Sequence, residues 1–168
     1  MKQTGFRLDF IASLILCVVV LAIALYMEFS MGMDPCMLCM SQRFIYLGIA
    51  FFSLLAALHN PIFGGHKAYA GIIALFALGG IGLAARQLYL QGLPADQVPA
   101  CGPSFDYMLE AFPITEVLMA MLKGSGSCAE VQWTFMGISI PGWSLLSYTV
   151  LGINGLRLAL ARAKLLLV

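Results

Sequence analysis

Two cysteines, Cys36 and Cys39, stand three residues apart in Asp34-Pro35-Cys36-Met37-Leu38-Cys39, with Arg43 four residues further on. A CxxC pair does redox or metal chemistry, because the spacing brings two sulfurs together and the thiolate is the reactive form. Asp34 can cap a helix whose first position is Pro35. Cys36 then falls in the first turn, where unpaired backbone N–H groups and the positive end of the helix dipole favour a thiolate. On such a helix Arg43 follows Cys39 by one turn on the same face. A cation there can stabilise a Cys39 thiolate or charge developing on an electron acceptor, whereas the bland alternative is a snorkelling interface anchor.

Cys101 and Cys128 are too far apart for a metal-type pair and read either as a second redox pair or as a structural staple. Pro99, Gly102 and Pro103 surround Cys101, and Gly124, Ser125, Gly126 and Ser127 precede Cys128. Both are therefore expected in accessible chain, where disulfides exchange readily, which favours the redox reading. Two such pairs suggest a relay in which each thiolate attacks the next disulfide. The sequence has no GxGxxG after a strand and no CxxCH, and His59 and His66 belong to a connection away from the cysteines. A lipid-soluble quinone is then the simplest electron acceptor. Met31, Met33, Met37 and Met40 around the CxxC offer an alternative, a Cu(I)-binding membrane protein, since soft sulfur ligands select that ion. Methionine is also an ordinary filler of apolar helices, and Cys17, alone in the first apolar run, reads as an inert small hydrophobe.

The elements that position these residues follow from composition: 61% hydrophobic and 10% charged over 168 residues, with a mean hydropathy of +0.94. Soluble domains are about half apolar and a quarter charged, so this is an integral membrane protein, and all-α. A net charge of +1 without a basic stripe excludes a nucleic-acid binder. Four apolar runs can span, at about 8–29, 40–58, 68–90 and 143–160. They form one domain, 1–168, with outer loops at 30–39 and 91–142. Lys2, Arg7, Lys67, Arg157, Arg162 and Lys164 share one side and Arg43, Arg86 and Lys123 the other, so the first side and both termini are expected in the cytoplasm. The cysteine pairs then face out, in a bacterium into the periplasm, where disulfides persist. Lys2, Arg7 and Ala22-Ile23-Ala24 imitate a cleaved signal, but the apolar run is longer than a signal core, so a retained span is expected. Within the long loop, Ile114, Val117, Leu118, Met121 and Leu122 have helical spacing and predict a short helix lying on the membrane. Trp133 and Trp143 read as aromatic-belt residues.

These residues together resemble the disulfide bond formation protein B (DsbB) family of quinone-dependent oxidases of the bacterial inner membrane. The resemblance is carried by Pro35-Cys36-Met37-Leu38-Cys39 with Arg43, by Cys101 and Cys128, and by Cys128-Ala129-Glu130, Gln132-Trp133 and Pro141-Gly142-Trp143. It implies a four-helix transmembrane bundle that reoxidises a periplasmic DsbA-like dithiol oxidase. It also implies that Cys101 forms the mixed disulfide with that partner, with Cys128 as its loop partner. Cys36 would exchange with the loop pair, and Cys39 would face a ubiquinone or menaquinone beside Arg43. Some members carry a histidine near the outer end of the third helix, where this chain has Gln87 and Gln91. Gln91 and Arg86 read there as solvated or anchoring residues, and Gln87 is left outside the expected site with them. A quinone-linked reductase resembling the vitamin K epoxide reductases would run the same relay backwards, since potentials fix electron direction.

Overall fold

A computed structural model describes residues 3–59, 65–94, 96–98, 100 and 105–160, the side chains of 3–5, 105 and 106 excepted. Four long helices form its body: α1 (Gln3–Met31), α2 (Met37–His59), α3 (Gly65–Gln91) and, after the long loop, a last helix over Ile140–Leu160. The first three are long and apolar enough to cross a membrane, at Phe6–Met31, Met37–His59 and Gly65–Gln91. The last helix is 21 residues long, about 30 Å at the α-helical rise, and so matches a hydrocarbon core in length. Ser147, Tyr148, Asn154 and Arg157 dilute its apolar character, and each has a partner in the bundle. The Tyr148 hydroxyl donates to the Gln42 carbonyl at 2.7 Å, and Asn154 Nδ2 donates to Ser13 Oγ at 3.0 Å. Such pairing is what hydrocarbon demands of polar groups.

Packing follows chain order, α1 on α2 and α2 on α3, and the last helix lies against α3. Small residues bring that last pair close. A Cβ on Gly155 would stand 3.0 Å from the Ala70 carbonyl, and one on Gly80 would stand 2.5 Å from the Tyr148 ring. Close backbone approach of this kind replaces the hydrophobic drive that lipid cannot supply between helices. Tyr46 stacks on Tyr148 with centroids 4.2 Å apart, and around them Phe10, Cys17, Ile49 and Leu151 are buried. Many large apolar side chains on the outer faces, Ile15, Val18, Phe44, Phe51, Leu75 and Val150 among them, are exposed, which suits contact with lipid. The molecule is a mostly helical membrane protein.

The segment between α3 and the last helix has structure of its own: α4 (Phe105–Ala111), α5 (Ile114–Lys123), a 3-10 turn over Gly126–Cys128, and an antiparallel hairpin of β1 (Thr134–Phe135) and β2 (Ile138–Ser139) leading into α6 (Ile140–Leu160). Met136 and Gly137 at the hairpin tip both have positive φ, which matches the right-handed twist of paired strands. The short helix expected near residues 114–122 is therefore present as α5. It buries Val117 and exposes Ile114, Leu118 and Leu122. Its C-terminal turn is pinned to the bundle: Ser41 Oγ lies 2.9 Å from the Met121 carbonyl, and Arg86 Nε donates to the Lys123 carbonyl at 3.2 Å.

Candidate redox site at the outer end of the bundle

α2 begins two residues later than Asp34 and Pro35 suggest, at Met37, and its cap is Cys36 itself. The Cys36 carbonyl accepts the first helical bond from Met40 N at 3.0 Å, and its sulfur lies 3.4 Å from the Cys39 N–H. A side-chain acceptor at the N-cap satisfies an N–H that the helix leaves open. Asp34 is exposed, and its backbone carbonyl instead receives Gln132 Nε2 at 3.2 Å, tying the loop before α2 to the one before α6. Capping draws the Cys36 sulfur inward over the helix end. It donates to Cys39 Sγ at 2.8 Å.

Cys128 reaches the same place from the loop. Gly124, at φ +75°, closes α5 where a Cβ would meet Leu38 Cδ1 at 2.7 Å, so the chain turns down onto the bundle at a residue without a side chain. The 3-10 turn then seats Cys128 among Cys36, Met37, Leu38, Leu90, Met108 and Val117. Cys128 is fully buried, which corrects the expectation of an accessible loop cysteine: the apolar wall offered by Leu38, Leu90 and Val117 outweighs the mobility its glycine and serine neighbours suggest. The Cys36 thiol beside it pulls the Cys128 thiol down to about 6, against the opposing effect of burial and with help from the backbone at Ser125 and Leu38. Cys36 is pushed above the ordinary thiol range, first by Cys128 beside it, then by Cys39 and by burial. The sulfur that favours a thiolate here is thus Cys128 and not the helix-terminal Cys36, because Cys36 is the hydrogen donor in the cluster.

Two glutamines complete the sulfur environment. Gln87 on α3 donates from Nε2 to Cys39 Sγ at 3.2 Å and to Cys36 Sγ at 3.4 Å. Its Oε1 accepts from Gln42 Nε2 at 2.8 Å. Both side chains are buried, so Gln87, which stood outside the expected site, is an inward-facing partner of the cysteines. Nothing in the sequence singled out Gln42. The usable signal was its type: an amide inside an apolar span is costly unless paired, so two of them near the CxxC pointed to each other.

A cleft opens over the sulfurs, lined by Cys36, Cys39, Gln87, Gln91, Trp133 and Pro141, with Glu130 and Gln132 also on its wall. Its wall mixes an indole, a proline and amide groups. Gln91 is held by Ser139 Oγ, which donates to its Oε1 at 2.9 Å. Arg43 is not on this wall. Its guanidinium forms an ion pair with Glu28 of α1 and donates from Nη2 to the Ala24 carbonyl at 3.1 Å. The carboxylate of Glu28 thus engages the arginine from α1. Cys101 lies outside the described residues, as do Lys2, Arg162 and Lys164. The Ala100 carbonyl accepts Gly126 N–H at 3.2 Å, at the start of the 3-10 turn that carries Cys128. His59 pairs with the Tyr69 hydroxyl at 2.8 Å, His66 stacks on Phe6, and both are at the opposite end from the sulfurs.

Comparison with known proteins gives the chain its relatives. The family profile described as DsbB, disulfide bond formation protein DsbB, matches residues 7–157. A disulfide bond formation protein B of Marinobacter nauticus is 51% identical over 148 residues, 88% of each chain. One from Hahella chejuensis is 57% identical over 127 residues, covering 74% of this chain and 76% of the relative. One from Nitrosococcus oceani is 48% identical over 150 residues, 89% of each chain.

Proposed function

Because the chain belongs to the disulfide bond formation protein B family, we propose that it reoxidises a periplasmic DsbA-like dithiol oxidase in the bacterial inner membrane and delivers the electrons to a membrane quinone. The observation that carries this reading is the row of three sulfurs: Cys128, seated by the loop, against Cys36, and Cys36 2.8 Å from Cys39. In the proposed cycle the partner's dithiol reduces the Cys101–Cys128 disulfide, with Cys101 forming the transient mixed disulfide. The loop dithiol then reduces the Cys36–Cys39 disulfide: the Cys128 thiolate attacks Cys36 and expels Cys39 as the leaving thiolate, and Cys101 then attacks Cys128, releasing Cys36 and re-forming the loop disulfide. Two electrons and two protons pass at each exchange, and a quinone at the cleft would supply the final two-electron, two-proton acceptor.

The chain's own groups supply position and charge control. In the reduced protein Cys36 keeps its proton beside Cys128, and once Cys36 is in the disulfide the backbone at Ser125 and Leu38 still favours the thiolate of the loop sulfur, the nucleophile. Gln91 and Trp133 on the cleft wall fit a quinone ring, while Arg43 would hold a carbonyl oxygen from the α1 side if released by Glu28. Both termini are taken as cytoplasmic, with Arg7, Lys67 and Arg157 at the end of the bundle opposite the sulfurs.

The test is quinone reduction followed optically with the purified protein and a reduced DsbA-like partner. Wild type should turn over, and Cys39→Ser and Cys101→Ser should each abolish turnover. Persistence in Cys101→Ser would end the two-pair relay, and reduction of the partner by quinol under the same conditions would favour the reverse, reductase direction.

A further inference from the structure

We propose that Gln42 and Gln87 form a buried amide pair that sets the redox balance of the Cys36–Cys39 couple, with Gln42 as the positioning residue that decides which way the Gln87 amide faces. A primary amide has one accepting end and one donating end. Gln42 Nε2, 2.8 Å from Gln87 Oε1, takes up the accepting end. That leaves the Gln87 NH2 group for the sulfurs, and its contacts run to Cys39 Sγ at 3.2 Å and Cys36 Sγ at 3.4 Å. Gln42 is itself fixed, since its backbone lies in α2 and its carbonyl receives the Tyr148 hydroxyl at 2.7 Å. The two amides are only 4% and 3% exposed, so little water competes for these bonds.

Reduction of the couple breaks one S–S bond and adds two electrons and two protons. Thiol and thiolate sulfurs carry more negative charge than disulfide sulfurs and gain more from an N–H donor, so the pair favours the reduced state and makes the disulfide a stronger oxidant. Neutral amides achieve this without burying a charge beside the sulfurs, which a lysine or arginine at the same place would do at considerable desolvation cost. The inference rests on the reading above that this couple cycles between dithiol and disulfide.

The test is the equilibrium of the full-length protein in detergent with mixtures of reduced and oxidised dithiothreitol, each cysteine being read by differential alkylation and mass spectrometry. Gln87→Leu should make the disulfide harder to reduce by roughly tenfold in the equilibrium constant, about 30 mV for a two-electron couple. Gln87→Glu keeps the shape and the bond from Gln42 but turns an acceptor onto the sulfurs, so its shift should be at least as large in the same direction. Gln42→Glu never touches a sulfur, yet it should shift the equilibrium too, because Gln87 must turn its NH2 toward the new carboxylate and its carbonyl toward the cysteines. Equilibria for Gln87→Glu and Gln42→Glu indistinguishable from wild type would overturn the proposal and leave the amides as packing. The two Glu variants retain the side-chain volumes, so they carry the test even if Gln87→Leu folds poorly. Neither quinone nor partner protein enters this measurement. Absence of turnover would therefore defeat the proposed function alone, and an unchanged equilibrium with intact turnover would defeat this inference alone.

Discussion

At the end of the bundle away from the sulfurs, Arg157 donates to Asp9 at 2.7 Å and Asn154 donates to Ser13, so α6 is fastened to α1 through a charged pair. At the sulfur end, α2 and α3 are joined by two neutral amides that run on to Cys39 and Cys36. The Arg157 side chain keeps 63% of its exposure and Asp9 33%, whereas Gln42 and Gln87 are almost wholly buried. Charge is kept at the rim, where water or headgroups screen it, and the interior beside the reactive sulfurs is given donors without charge. The difference teaches that a polar cluster in a membrane bundle is to be read by burial and donor direction before charge. Glu28 and Arg43 fall between the two cases, charged and mostly covered.

The largest effect that sharpens this contrast is expected from the glycines that let each end close. Gly124→Val places a branched side chain at a positive φ and against Leu38, so Cys128 should lift from Cys36 and turnover should fall roughly 5- to 150-fold, the equivalent of an overpacking cost of about 1–3 kcal/mol. Gly155→Ala, tight against the Ala70 carbonyl, should cost about the same in stability while the folded fraction turns over at the wild-type rate. Equal losses of turnover in both variants would remove the functional distinction between the two ends.

A middle-sized effect concerns pH. A Cys128 thiol held at about 6 in the folded protein, against about 8.5 for an unfolded thiol, binds fewer protons when folded. Its contribution to stability is complete above about 8.5 and is lost as pH falls through about 6. The melting temperature of the reduced protein should therefore rise across that window in wild type and rise less in Cys128→Ser. Identical curves for the two would show that Cys36 does not hold the Cys128 thiolate. The smallest effect is expected from Asp9→Asn: with Arg157 so exposed, the loss should stay below about 1 kcal/mol by thermal unfolding, and a larger loss would mean that the rim pair is less screened than its exposure implies.

Much of this was legible in the residues. The CxxC, the runs near 8–29, 40–58, 68–90 and 143–160, and the apolar spacing after Pro113 announced the helices that formed, because long apolar periodic segments leave the backbone no other way to satisfy itself in lipid. The resemblance through Pro35-Cys36-Met37-Leu38-Cys39 and Pro141-Gly142-Trp143 agrees with the family shown by the comparisons. Less legible were contacts between segments distant in sequence. Asp34 looked like the cap, but Cys36 took that role; Arg43 looked free for Cys39, but Glu28 of α1 engages it. Cys128 looked mobile by its neighbours and is buried by Leu38, Leu90 and Val117, none of which is near it in the chain.

The sequence by itself determined the solvent this protein lives in, the number and length of its long helices, and the residue types able to do redox chemistry. These depend on composition, period and local spacing, quantities that need no knowledge of which helix meets which. Only the tertiary structure decided that Cys128 lies against Cys36, that Gln87 turns its donors on both CxxC sulfurs, and that Arg43 faces α1. Each of these is settled by competition among partners brought together by helix packing, and a hydrogen bond or an ion pair goes to the group that is present at 3 Å, which no spacing along a single chain can specify.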